Sequence, residues 1–222
     1  MGGPGSLKAS ARLRQQVTEQ GKRMFLSDSE INELVQQKKI RIEPFDQSLL
    51  RPASYLLRLS NAFVRFKALD LVDILDEESI KGNVSDLIRQ DFIIIQPYEL
   101  ILASSIEKVG IPDDLLGLIS GLSHLGRIGL VIHSTSFLIN PGFGWHTPSS
   151  ITFELFSYNP APVKLYSGMP ICHLLLAKLS RPTSKEYDQA SSIYTGQDQP
   201  EASRYSQEFK RYVDTRRSLK EK

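Results

Sequence analysis

The chain has 222 residues, 41% of them hydrophobic, with 27 Lys or Arg against 25 Asp or Glu and a single cysteine, a composition that suits one globular domain with an ordinary core. A lone cysteine excludes an intrachain disulfide and any paired-cysteine metal centre, and no run approaches the roughly 18 consecutive apolar residues of a membrane helix. Charge is unevenly spread: residues 1–23 and 204–222 are each +4 and the stretch between them is −6, which predicts solvated basic ends rather than a face specific for nucleic acid.

In chain order, MGGPGS reads as an expression scar, and residues 1–23 as a disordered basic tail with no apolar leader, so a cytoplasmic protein is expected. Order begins near Phe25. Ser27 and Glu30 have capping-box spacing, Leu26 and Ile31 stand at the staple positions, and a short helix runs to about Gln37. KIRIEPF then alternates as a strand entering a sheet.

From Tyr55 the chain becomes short apolar or alternating runs: YLLRLSNAFVRF, FIIIQ, LILASS, LLGLIS, GLVIHST, SITFELF, VKLYS and ICHLLLAKL. Pro97, Pro112, Gly121, Pro141, Gly142, Pro160, Pro162 and Gly168 punctuate them. Many short strands between turn signals imply an all-β sandwich or closed barrel over residues 24–181. DILDEESIKGNVSDLIRQ interrupts the pattern as an acidic loop or short helix. Cys172, inside an apolar run, is expected to be buried and unreactive. Residues 182–204 are too polar to build core and suit an arm that orders on a ligand or a neighbouring subunit. Residues 205–222 form a charged tail, helical or disordered.

Several chemistries are excluded. A zinc-dependent nucleobase deaminase needs paired cysteines, a phosphate-binding loop needs Gly-Lys-Ser or Gly-Lys-Thr, and the four histidines lack a nucleophile elbow to serve. Three adjacent pieces remain. In GLSHLGRIGL, Gly121, Gly126 and Gly129 allow close backbone approach while Ser123 and Arg127 supply a hydroxyl and a fixed charge. Taken alone, a tight turn with a surface arginine fits equally well. In HSTSFLINPGFG, an alternating strand puts Thr135, Phe137 and Ile139 on one face and Ser134, Ser136 and Leu138 on the other, ahead of a turn at Asn140, Pro141 and Gly142. In SITFELF, Glu154 lies within an apolar strand, where a carboxylate is exposed, paired or functional.

The order and spacing of these pieces resemble the dCTP deaminase family and its dUTPase relatives. ASYLLRLSNAF, IQPYELILASSIEKVGIPDDLLGLISG, VKLYSGMPICHLLL and YTGQDQPEASR follow the family order too, so the resemblance covers about residues 25–204. It implies a homotrimer of distorted β-barrel or jelly-roll subunits with active sites at the interfaces. The substrate implied is dCTP, which is deaminated to dUTP without zinc, and Mg²⁺ is carried on its triphosphate. The implied roles make Glu154 the proton shuttle, with Ser123 and Arg127 holding water and base. Thr135, Ser136 and Asn140 would contact base or sugar, Phe143 would stack nearby, and Tyr194 and Gln197 would close over the nucleotide. Leu122 stands where the family has a phosphate-binding Arg, His124 where it has a second Ser, Asn140 where it has Asp, and Leu56 where it has another Asp. WHTPSS lengthens the turn before Glu154 by about four residues. An impaired nucleotide-binding member and a dUTPase-type pyrophosphatase are the alternative readings.

Overall fold

The computed structural model describes residues 24–69, 71–185, 187, 194 and 196–220; the expected basic tail and much of residues 186–195 lie outside them. Helix α1 (Asp28–Gln36) opens the ordered chain with the capping box complete: Ser27 N donates to Glu30 Oε2 at 3.1 Å and Ser27 Oγ accepts from Glu30 N at 3.4 Å. Leu26 and Ile31 are buried, and Leu26 N donates to Leu176 O at 2.8 Å, so the helix is stapled to the sheet at its first turn.

Most of the remaining structure is antiparallel β. The strands are β1 (Arg41–Glu43), β2 (Leu50–Arg51), β3 (Ser54–Arg65), β4 (Ile88–Arg89), β5 (Phe92–Ile95), β6 (Leu100–Gly110), β7 (Leu115–Gly121), β8 (Leu130–Val131), β9 (Leu138–Ile139), β10 (Ser149–Ser157), β11 (Val163–Tyr166) and β12 (Pro170–Lys178). The main sheet runs β8-β10-β6-β3-β12-β7-β9, with β1 added to β6, β2 and β4 to β3, and a separate β5-β11 ribbon.

Strand β3 explains why the sheet curls. Its first half pairs with β12 from Tyr55 to Arg58, and its second half pairs with β6 from Leu59 to Arg65, with a register shift between Leu59 and Phe63. At that corner the Ser60 and Ser104 hydroxyls bond at 2.8 Å and Ser60 Oγ accepts from Ala62 N at 3.2 Å, replacing the interrupted ladder. The curled sheet encloses one core in which Tyr55, Leu57, Leu59, Phe63, Phe153 and Leu174 have no exposed surface. Burying each such large apolar side chain stabilises the fold by about 1.5–3 kcal/mol. Cys172 belongs to the same core, and its burial pushes the thiol pKa well up, as expected of an inert cysteine.

The acidic interruption between β3 and β4 holds the short helix α2 (Glu77–Gly82), whose N-cap Asp76 accepts from Glu78 N at 3.0 Å. A one-turn helix, α3 (Ser123–Gly126), joins β7 to β8, and α4 (Tyr205–Lys220) is the last described element. No described helix is long and apolar enough to cross a membrane.

Candidate active site

Strand β10 alternates as its sequence predicts. Ile151, Phe153 and Leu155 are buried while Thr152 and Glu154 point to the other face, Glu154 lying opposite Leu102 of β6. The carboxylate is anchored: Glu154 Oε2 accepts from the Ser134 backbone N at 2.9 Å. No ion pair reaches Glu154 among the described residues.

The segment that holds it corrects one expectation. HSTSFLI is not a single alternating strand; β8 ends at Val131 and pairs with β10, β9 starts at Leu138 and pairs with β7, and residues 132–137 between them lie outside the ladder. The small polar side chains favour this outcome. Ser136 Oγ accepts from Leu138 N at 3.4 Å, while the Ser134 amide turns to Glu154, so local bonds replace strand pairing. Thr135, Phe137 and Ile139 therefore share no face: Ile139 is buried, whereas Thr135 and Phe137 are exposed.

The next turn is fixed from below. Phe143 N donates to Asn140 O at 3.0 Å, Gly142 N to Pro112 O at 3.1 Å, and Ile111 N to Phe143 O at 2.9 Å, tying the turn to the end of β6. Gly144 makes this approach possible. Its φ is +61°, and a Cβ there would stand 2.1 Å from Val109 O. Asn140 and Phe143 are thereby presented beside Glu154, with the Tyr187 ring 6.0 Å from that of Phe143.

A bulge in β10 receives the C-terminal arm. The register with β6 shifts between Ser150 and Thr152, where Ile151 N donates to Ser105 Oγ at 2.8 Å instead of to the neighbouring strand. The freed edge binds the arm: Gly196 N donates to Ser149 Oγ at 3.0 Å and Ser150 N to Gln197 O at 2.8 Å. Farther along, Arg204 N donates to Tyr194 Oη at 2.8 Å, the Arg204 guanidinium lies over the Tyr194 ring, and Arg204 pairs with Glu201.

Together these pieces enclose a cavity of about 620 Å³. Ser136, Asn140, Phe143, Glu154, Tyr194 and Gln197 line it. Leu122, Ser123, His124, Arg127 and Thr135 do not. Ser123, His124 and Arg127 sit on and just after α3 with their side chains exposed, and Leu122 packs half-buried against the core. Gly121 and Gly129 have close neighbours and Gly126 faces open space within a helical turn, so the motif forms a small exposed helix.

The sequence reading also missed one wall. Ile74, Ile80 and Val84, from the stretch read as an acidic loop or short helix, line the cavity together with Phe66 and Val72 just before it. Its signal was present in Leu71, Val72, Ile74 and Leu75, aliphatic residues interleaved with aspartates. Among the described residues no group of three or more His, Cys, Asp or Glu is placed to hold a metal ion.

The dCTP deaminase-like family profile matches residues 25–179. A dUMP-forming dCTP deaminase of Dictyoglomus turgidum is 36% identical over 195 residues, 84% of this chain and 97% of that protein. One of Streptomyces avermitilis is 37% identical over 193 residues, 85% of this chain and 98% of that protein. Among solved structures, 2'-deoxycytidine 5'-triphosphate deaminase from Agrobacterium tumefaciens superposes with a TM-score of 0.55 at 16% identity, covering 70% of this chain and about half, 48%, of that one. The chain belongs to the dCTP deaminase-like family.

Proposed function

We propose that the protein is a hydrolase that converts dCTP and water to dUTP and ammonia without zinc, with Glu154 as the proton shuttle. The observation that carries this reading is the placement of Glu154 in the cavity wall, one oxygen fixed by the Ser134 amide and no described cation pairing with it. A carboxylate so held takes a proton from water as the oxygen adds to C4 of cytosine. It then delivers that proton to N3 and assists departure of the amine as ammonia.

Ser136 and Asn140 contact base or sugar from the cavity wall, with Phe143 beside them, and Thr135 reaches the nucleotide from the adjoining loop. Tyr194 and Gln197 close over it from the arm, residues 182–204, which follows a nucleotide-binding domain of residues 24–181. Ser123 and Arg127 hold water and base in a neighbouring copy's cavity. Their exposure outside the chain's own cavity supports active sites shared within a homotrimer. His124 stands beside them at the phosphate end, and Leu122 contributes no charge there. Mg²⁺ enters on the substrate triphosphate, where it offsets phosphate charge.

Asn140 favours dUTP as the final product, because a neutral amide cannot accept the proton of a water attacking phosphorus. The names of the relatives favour the second reading, release of dUMP. Incubation with dCTP and Mg²⁺, following ammonia, dUTP, dUMP and pyrophosphate, decides between them. Ammonia with dUTP alone is expected; dUMP with pyrophosphate establishes the second reading. Glu154→Gln is expected to lower ammonia release by about 100- to 10,000-fold while dCTP still raises the melting temperature. Thermal stabilisation of the unaltered protein by dCTP without ammonia would make it a binder, not a catalyst. A monomeric mass in solution would sink the shared site.

A further inference from the structure

One buried hydroxyl pins strand β10 to β6. At the register shift between them, three residues of β6, Ser105, Ile106 and Glu107, face one of β10, Ile151. Ile151 falls out of the regular ladder there, and its amide donates at 2.8 Å to Ser105 Oγ, on a residue only 2% exposed. The same hydroxyl donates to Glu107 O at 2.6 Å, which turns its lone pairs toward Ile151. Glu107 is held in its turn, for its two oxygens accept from Arg58 N at 2.8 Å and Arg58 Nε at 2.6 Å. Arg58, Glu107 and Ser105 thus link the corner of β3 to β10 by a chain of bonds, and none of the three lines the cavity.

The strand pinned in this way carries both the shuttle and the seat of the arm. Three residues beyond Ile151, Glu154 meets the Ser134 amide at 2.9 Å; one residue before it, Ser150 N donates to Gln197 O at 2.8 Å. Successive amides of a strand point to opposite edges, so Ser150 N serves the arm and Ile151 N serves β6. We propose that Ser105 is a positioning residue for the deamination, its hydroxyl fixing β10 against β6 and thereby the place of the Glu154 carboxylate at the substrate. Without that hydroxyl the Ile151 N–H and the Glu107 carbonyl lose their partners in a buried place, and β10 shifts to recover them. A displacement of about 1 Å at the reacting groups costs about a hundredfold in rate. The bonds to the arm lie on the other edge of β10 and survive, so the nucleotide still binds.

This inference rests on the deaminase reading of the cavity, and the two fail differently. The kcat and KM for ammonia release from dCTP with Mg²⁺ are measured well below every melting temperature for the unaltered protein, Ser105→Ala, Ser105→Thr and Ile31→Val. The last is a destabilising change in the core beneath α1. Ser105→Ala is expected to lower kcat by about tenfold or more with KM within about threefold. Ser105→Thr, which keeps the hydroxyl, is expected to retain kcat to within about threefold, and Ile31→Val to leave both constants unchanged. If Ser105→Ala does not fold, Ser105→Cys, which fills the space with a weak acceptor, replaces it under the same expectation. An undiminished kcat, a rise in KM matching the fall in kcat, a parallel loss in Ile31→Val or no recovery in Ser105→Thr overturns the positioning role and leaves the deaminase reading standing. Absence of ammonia from the unaltered protein overturns both.

Discussion

Glu107→Ala should be among the most damaging single changes outside the cavity. Glu107 of β6 has no exposed surface, and both of its oxygens are used: Oε1 accepts from Arg58 Nε at 2.6 Å and Oε2 from the Arg58 backbone N at 2.8 Å. Alanine strands two donors that differ in their access to water. The Arg58 side chain is 23% exposed, so its guanidinium recovers part of its hydration, and only a fraction of the roughly 3–5 kcal/mol typical of a broken buried pair is lost there. The Arg58 N–H lies in the sheet without that exit and costs about 1–3 kcal/mol. Together the loss is about 3–4 kcal/mol, a large share of the roughly 5–15 kcal/mol that holds a domain together, and the melting temperature should fall by roughly 10 °C. Urea titration of the single variants Glu107→Ala and Arg58→Met and of their double variant measures this. The double variant should be less damaged than the sum of the two, because Met leaves no buried charge unpaired. A loss below about 1 kcal/mol for Glu107→Ala, or strict additivity in the cycle, would refute the argument.

Gly144→Ala should cost about 3 kcal/mol in a thermal melt, since it combines a positive φ with a Cβ 2.1 Å from a backbone oxygen, whereas Gly126→Ala, with open space around it, should be neutral or slightly stabilising. His173 bonds through Nδ1 to Ser54 Oγ at 2.8 Å, and burial, then the charge of Arg51, hold its pKa below the ordinary value of 6.5. As pH falls through 6.5 the unfolded chain takes the proton first, so the stability His173 contributes is complete above 6.5 and is lost on acidification toward its lower folded value. Urea midpoints between neutral and mildly acidic pH should show this fall and His173→Leu should flatten it; a midpoint that rises on acidification in that window contradicts the sign. Asn140→Asp restores a carboxylate to the cavity wall and should confer pyrophosphate release from dUTP. If it confers none, the role proposed for Asn140 in setting the product fails.

Much of the framework was legible because it depends on local patterns. Ser27 with Glu30 marked the start of α1, and the alternation of β10 put Glu154 opposite Ile151, Phe153 and Leu155. Glu107 shows how the same rule goes unused. Ala103, Ser105, Glu107 and Val109 share one parity of β6, and all four are buried. Extending the alternation from Ala103 and Val109 turns Glu107 inward and Lys108, which is only partly buried, outward. The partner of Glu107 lies 49 residues away, and no local pattern specifies a contact of that range.

What escaped the sequence depends on competition between bonds rather than on hydrophobic period. The residues of GLVIHSTSFLI have strand-like alternation, yet Ser136 bonds locally and the Ser134 amide is taken by Glu154, so the ladder breaks where a carboxylate arrives from β10. The handover of β3 from β12 to β6 likewise follows from the Ser60 corner, whose partner is Ser104, far away in the chain. Periodicity reports which side of a strand is apolar, and it is silent on what meets the polar side. For Glu154 the polar side is the chain's own cavity. For Ser123, His124 and Arg127 it is open surface, and their closeness to Glu154 in the motif is not reproduced in the cavity of one chain. Under the function proposed above, a second copy would have to bring them to it.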